Sequence, residues 1–301
     1  MMKRRDFIQK TILTTTAVAI GPSVFGQNAL SKKETLTILH TNDTHSNIDP
    51  FPTNHAKFPG MGGVAKRFDM VQQIRLEEKN VLVLDAGDIF QGTPYFNRFG
   101  GELEMKVMSK IGYDAGTMGN HDFDGGMEGF VNAKKHATFP FLCSNYDFKN
   151  TPIDGQTEAF KIFTKGNLKI GIFGIGVELK GLVPDKLFGE TVYQNPIERA
   201  QDMVTKLQDE KCDLIICLSH LGYEHTGDKV SDRILAKKTK GIDLIIGGHT
   251  HTFLEKPTQE LNLDGKITLI NQVGWAGLNL GRIDFDVEKK FFTKKEIIEI
   301  K

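Results

Sequence analysis

Short apolar runs alternate with helical patterns along most of the chain. Leu36 to His40 reads as a strand, and a long polar loop runs from Thr41 to Met61. From Gly62 to Lys79, Val64, Phe68, Val71 and Ile74 recur at helical spacing and predict an amphipathic helix. Val81 to Leu84 is continuously apolar, as expected of a strand buried on both faces. A glycine-bearing loop leads to a helix at about Glu102 to Ile111, a strand from Tyr113 to Thr117, a helix from Met127 to His136 and a short strand from Pro140 to Ser144. Phe160 to Thr164 and Leu168 to Ile175 flank Lys165-Gly166-Asn167, a hairpin signal. Asn195-Pro196 opens a helix that runs to about Asp209. Leu214 to Leu218 is then a strand, Asp228 to Lys238 a helix and Leu244 to Ile246 a strand. Lys266 to Val287 carries strand runs without a clear helix. This order predicts one α/β domain with two sheets in layers and helices outside, without internal repeats.

Composition narrows the class. At 301 residues, with 39% hydrophobic and 25% charged positions, the chain is an ordinary globular protein of one large or two small domains. Lys+Arg and Asp+Glu both number 38, so no net field favours nucleic acid or an anionic membrane. Three cysteines make no disulfide framework. Cys212 and Cys217 would stand about 16 Å apart on an extended strand, beyond bridging distance.

The N-terminus is set apart. Arg4-Arg5-Asp6-Phe7-Ile8-Gln9-Lys10 closely resembles a twin-arginine export signal, and an apolar run from Thr11 to Ile20 follows. That run is too short to span a bilayer. Residues 1–26 are therefore expected to be a bacterial export signal, with the mature protein periplasmic or extracellular.

Five polar clusters sit at the C-terminal ends of the apolar strands. They are Asp43 with His45, Asp85 with Asp88, the stretch Gly119-Asn120-His121-Asp122-Phe123-Asp124, Ser219-His220, and His249 with His251. Ligands bind at the carboxyl ends of strands in open α/β sheets. Any one cluster reads equally as a capped loop, Asp124 for example as N-cap of the helix near Met127, but five in one topological place are not explained by packing. Asp, His and Asn supply nitrogen and oxygen donors that suit Zn, Mn, Fe or Co rather than Ca. The i, i+2 spacing of Asp43/His45 and His249/His251 places both side chains on one side of an extended segment. The ligand count fits two divalent metal ions sharing a carboxylate.

The ordered set Asp43-x-His45, Gly87-Asp88, Gly119-Asn120-His121-Asp122, His220 and Gly248-His249-x-His251 resembles the calcineurin-like metallophosphoesterases. Leu39 to His45, Gly119 to Asp124, and Gln272-x-Gly274 leading to Gly281-Arg282-x-Asp284 are similar to the catalytic domain of the 5′-nucleotidase group. The resemblance implies a layered sandwich of two mixed β-sheets flanked by helices over residues 35–287. It implies one metal on Asp43, His45 and His251, a second on Asn120, His220 and His249, and Asp88 bridging them. His121 would face the phosphate with Asp124 orienting its ring, and a bridging hydroxide would attack phosphorus. Asp122 is not a ligand by this mapping, and Asp85 is a structural hydrogen-bonder. Where the chain has His251, nucleotidases of the group often have Gln.

The activity implied is 5′-nucleotidase-type phosphomonoester hydrolysis. Alternatives on the same site are a cyclic-nucleotide phosphodiesterase, a nucleotide-sugar diphosphatase or a sulfur-ester hydrolase. A non-catalytic metal-bound subunit is a further alternative, against which the His121/Asp124 pair argues. Nucleotidases of the group also carry a C-terminal domain that clamps the base. Residues 288–301 read as a tail, with Phe291 to Ile300 a final strand or a docking segment; either a separately encoded partner is expected to supply that domain's function, or the enzyme is expected to be less selective. The other histidines read blandly: His40 packed on its strand, His55, His136 and His225 in loops or at the surface. His225 is also near enough to His220 in sequence to support it, and Trp275, in a glycine-rich loop, is expected in the core, with the lining of a substrate cleft as the alternative.

Overall fold

The computed structural model describes residues 35–289 and 291–301, so the expected export signal lies outside the described residues. The elements run β1 (Thr35–Thr41), α1 (Val64–Glu77), β2 (Asn80–Asp85), α2 (Pro94–Phe99), α3 (Glu102–Ile111), β3 (Ala115–Gly116) and α4 (Gly126–Lys134). Next come β4 (Tyr146–Asp147), β5 (Phe160–Lys165), β6 (Leu168–Ile175), α5 (Asp185–Phe188), β7 (Val192–Tyr193), α6 (Pro196–Asp209) and β8 (Leu214–Ser219). The chain ends with α7 (Asp232–Lys238), β9 (Leu244–Gly247), β10 (Thr258–Leu261), β11 (Ile267–Asn271), β12 (Asn279–Asp286) and β13 (Phe291–Glu299).

Two mixed sheets form the centre. The first has strand order β13-β12-β1-β2-β3, the second β10-β11-β9-β8-β6-β5. Strands β1, β2 and β3, and β6, β8, β9 and β11, pair in parallel, while β12 and β13 in the first sheet and β5 and β10 in the second pair antiparallel. Strand alternation sorts the core into layers. Leu36, Ile38, Leu82 and Leu84 of the first sheet pack against Ile170, Ile172, Leu214, Ile216, Leu244 and Ile246 of the second. On the outer face of the first sheet, Leu39, Val81 and Val83 meet Val71 of α1 and Met105 and Met108 of α3. On that of the second, Phe173, Ile215, Cys217 and Ile245 meet Met203, Val204 and Leu207 of α6 and Leu235 of α7. Fully burying one such aliphatic side chain stabilises by about 1.5–3 kcal/mol, which explains why the inner strands β2, β8 and β9 read as nearly unbroken apolar runs.

Some boundaries differ from the sequence pattern, each for a local reason. The strand expected from Tyr113 to Thr117 shrinks to Ala115–Gly116, because Asp114 turns its carboxylate onto the Val83 amide at 2.8 Å and the chain then bends toward the site. Pro140 to Ser144 forms only isolated bridges, Phe141 with Gly116 and Leu142 with Glu158. The helix expected from Asp228 starts at Asp232, where the Ser231 hydroxyl accepts from the Ile234 amide. The loop after β2 holds a short helix, α2, opened by Pro94 and closed by Gly100 in the left-handed region. Of the two readings of Phe291 to Ile300 the strand is observed, so the first sheet continues past residue 287. The three cysteines are free.

Candidate metal centre

The C-terminal ends of β1, β2, β3, β8 and β9 converge on one place between the two sheets. Asp43 and His45 follow β1, Asp88 follows β2, Asn120 and His121 follow β3, His220 follows β8, and His249 and His251 follow β9. Two groups of ligand atoms lie within 4.8 Å of one another: Asp43, His45, Asp88 and His251, and Asp88, His220 and His249. Asp88 is common to both. His45 Nε2 and His251 Nε2 face each other at 3.0 Å, and His251 Nε2 lies 3.5 Å from Asp43 Oδ1. Asp88 Oδ2 stands 3.8 Å from His45 Nε2 and 3.1 Å from His220 Nε2.

These segments are not extended, contrary to the i, i+2 reading. Asp43, His45, Asp88, His249 and His251 all have φ between 46° and 72°. Each such residue costs of order 1–3 kcal/mol and persists where the surroundings over-determine it. The surroundings here do so. The Asp43 amide bonds the Gly87 carbonyl at 2.9 Å, and the His45 amide bonds the Asp88 carbonyl at 3.0 Å. The His249 amide donates to Asp43 Oδ1 at 2.9 Å. At Gly119 a Cβ would overlap Asp88 Oδ1 and His220 Nε2, so this position admits only glycine.

Electrostatics prepare the donors. Burial holds His45 and His249 below the usual imidazole range, His249 at about 3, which keeps both rings as neutral ligating bases. Burial also opposes charge on His220, but Asp88 and Asp43 outweigh it and raise its pKa to about 10. That balance marks a concentrated negative field, which a metal cation would satisfy in place of the proton. His220 Nδ1 is held by the Ala86 carbonyl at 2.6 Å, which leaves Nε2 for the site. His45 Nδ1 contacts the Phe90 carbonyl at 3.2 Å in the same way.

The residues present fit a metal pair. His220 Nε2 is buried 3.1 Å from Asp88 Oδ2, and Asn120 Oδ1 is buried without a hydrogen-bond partner among the described residues. Buried polar atoms are rarely left so. His220 belongs to the second donor group, and the mixed imidazole, carboxylate and amide set suits Zn, Mn, Fe or Co.

His121 stands beside this cluster, its ring 5.3 Å from that of His45 and its side chain 38% exposed. His121 Nδ1 bonds Asp124 Oδ2 at 2.8 Å, and that hydrogen bond raises the imidazole pKa above its ordinary value. Asp124 does not cap α4, whose N-cap is Gly125.

Several supporting residues were not singled out by the sequence pattern. Asp122, fully buried, accepts backbone N–H bonds from Gly119 at 2.8 Å, Asp88 at 3.0 Å, Ile89 at 3.0 Å and Phe90 at 3.2 Å. It therefore ties the loop after β2 to the loop after β3. Removing it in Asp122→Ala is expected to weaken metal binding by about 10–100-fold, as for other residues that orient ligands. Metal titration of the purified variant measures this, and unchanged affinity would refute it. Asn42 links Asp43 Oδ2 to the Gly274 carbonyl, each at 2.6 Å. Trp275, expected in the core, is half-buried and stacks on His251 with ring centroids 5.8 Å apart. His225, expected in a loop, bonds the Leu221 carbonyl at 2.6 Å and puts its ring 6.0 Å from His249. His40 is buried, neutral with a pKa of about 3, and contacts Asn271. Asp85 accepts from Thr41 Oγ1 at 2.5 Å and the Gly87 amide at 2.9 Å.

Residues 36–253 match the family model described as calcineurin-like phosphoesterase. The chain belongs to that family. Among relatives of this phosphoesterase, human 5′-nucleotidase is 37% identical over 274 residues, which is 83% of this chain and 46% of the human protein. Snake venom 5′-nucleotidase of Crotalus adamanteus is 37% identical over 227 residues, 73% of this chain and 37% of its own length. The crystal structure of a 5′-nucleotidase precursor from Thermus thermophilus superposes with a TM-score of 0.78 at 31% identity, covering 88% of this chain and 54% of that one. This phosphoesterase chain thus spans about half the length of such relatives or less.

Proposed function

We propose that the chain is a metal-dependent hydrolase of phosphate monoesters of the 5′-nucleotidase type. The observation that carries this reading is the pair of donor groups sharing Asp88, with the His121/Asp124 pair beside them. In this reading Asp43, His45 and His251 hold one divalent ion, Asn120, His220 and His249 hold the other, and Asp88 bridges. When bound, the metal pair supplies Lewis acidity toward phosphoryl oxygens and brings the pKa of a water toward neutrality. The protein's own part is positional and electrostatic. His121, held by Asp124 through Nδ1, keeps Nε2–H for the phosphoryl oxygens or the departing alkoxide. The His45, His220 and Asp43 side chains are locked by backbone partners, so little reorganisation accompanies the reaction.

Support for a nucleotide leaving group comes from the relatives named 5′-nucleotidase. A panel of nucleoside 5′-monophosphates and simple phosphate esters, assayed on the full chain with added Mn or Zn, tests the proposal. Hydrolysis of 5′-monophosphates that a chelator abolishes is the expected result. Two bound metals per chain without hydrolysis of any ester would overturn it. No helix among the described residues is long and apolar enough to cross a membrane.

A further inference from the structure

A fully buried side chain that belongs to neither donor group grips the loop that serves both. Gln272 directly follows β11, which pairs in parallel with β9, so it stands beside residues 248–252 at the end of β9. That loop carries His251 of the first donor group and His249 of the second. Its backbone is left-handed at both histidines, with φ of 72° at His249 and 52° at His251. Backbone of this kind persists only where its surroundings over-determine it.

One amide supplies much of that constraint. Gln272 Nε2 donates to the Gly248 carbonyl. Gln272 Oε1 accepts from the Thr252 amide at 2.5 Å and from the Thr250 hydroxyl at 3.1 Å. The loop is thus fixed before, between and after its two histidines. Thr250 Oγ1 in turn accepts from the Tyr223 amide at 2.9 Å, in the segment that follows His220. The backbone past Gln272 extends the grip to the loop after β1. There the Val273 amide donates to Asn42 Oδ1 at 3.0 Å, and the Ala276 amide donates to the Asp43 carbonyl at 2.7 Å. An uncharged amide is what this place requires, because it donates and accepts at once. An alkyl group would leave the buried Gly248 carbonyl and Thr252 amide without this partner.

We propose that Gln272 is a positioning residue of the metal centre, whose amide holds residues 248–252 in the form that presents His251 to one ion and His249 to the other. The proposal rests on the metal-pair reading of the two donor groups. Because a single loop serves both groups, loosening it weakens both ions together.

Metal titration of the full chain with Mn or Zn, followed by calorimetry, tests this without turnover. Gln272→Met keeps the length of the side chain and removes every bond to the loop. It is expected to lower the affinity for both ions by about 10–100-fold, the span for residues that orient ligands. Thr250→Val, which removes only the hydroxyl bridge, is expected to give a smaller loss in the same direction. Melting of the metal-free proteins separates positioning from general stability. In Gln272→Met the rise in melting temperature on adding metal is expected to shrink, since that rise measures binding to the folded state. A lower metal-free melting temperature with both ions bound at parental affinity would overturn the proposal, and so would loss of one ion alone. If the affinities change as expected but the parent hydrolyses no ester, the positioning role stands and the hydrolase reading fails.

Discussion

Replacing His121 by alanine is expected to lower kcat on a phosphate monoester by about 10²–10⁴-fold, the usual contribution of a positioned acid or base. KM and metal content are expected to stay near those of the parent. The geometry separates these readouts. His121 belongs to neither group of ligand atoms, and its ring is engaged through Nδ1 by Asp124 at 2.8 Å. Its backbone amide donates to Asp88 Oδ1 at 2.8 Å, a contact that alanine retains. The truncation therefore removes the proton-bearing ring without disturbing the carboxylate beneath it. Steady-state kinetics together with metal analysis by mass spectrometry check this. Loss of metal along with the ring would place His121 among the ligands and sink the assignment; an unchanged kcat would remove its catalytic role.

Asp88→Asn is expected to act more broadly. Asp88 is the carboxylate shared by the two donor groups, and it reaches both His45 and His220. Asparagine is the right replacement because Asp88 has φ of 56°, a region that Asn tolerates better than Ala. It keeps the shape and an acceptor for the His121 amide and removes only the charge. Metal content is expected to fall from two ions per chain to less than one. Hydrolysis is expected to fall by more than about 10⁴-fold, since the metals' lowering of a water pKa from 15.7 toward 7 is lost with them. The rise in melting temperature on adding Mn or Zn should shrink as well, because that rise measures binding to the folded state. Two ions retained at parental affinity would show that Asp88 does not bridge.

Elements with strong local signals are legible in the sequence alone. Helix α6 begins where Asn195 accepts from the Ile197 and Glu198 amides and Pro196 takes the first helical position. The β5–β6 hairpin closes at Gly166, whose φ is 58°. Helix α3 matches its expected limits, with Gly112 in the left-handed region at its end. The layered order of sheets follows from the alternation of apolar runs and amphipathic helices, since a strand buried on both faces needs covering layers. Where tertiary bonds compete with local ones, as at Asp114 and in Pro140 to Ser144, the pattern overstates the strands.

The chain by itself determined which residue types gather at the strand ends: Asp43, His45, Asp88, Asn120, His121, Asp124, His220, His249 and His251. Motif order carries that information because strand ends on one edge of a sheet are neighbours whatever the loops do. Three things were decided only by the tertiary structure. The backbone turns into the left-handed region at five of these positions, and at Asp43 and His45 hydrogen bonds to residues distant in sequence hold it there. Asp122, which reads as one more polar residue in a loop, becomes the anchor for four amides from two loops. Trp275, which hydrophobicity alone sends to the core, stacks instead on His251 and meets Phe51 edge-on. Each depends on partners supplied by other strands, and contacts over that sequence distance leave no periodicity in a single chain.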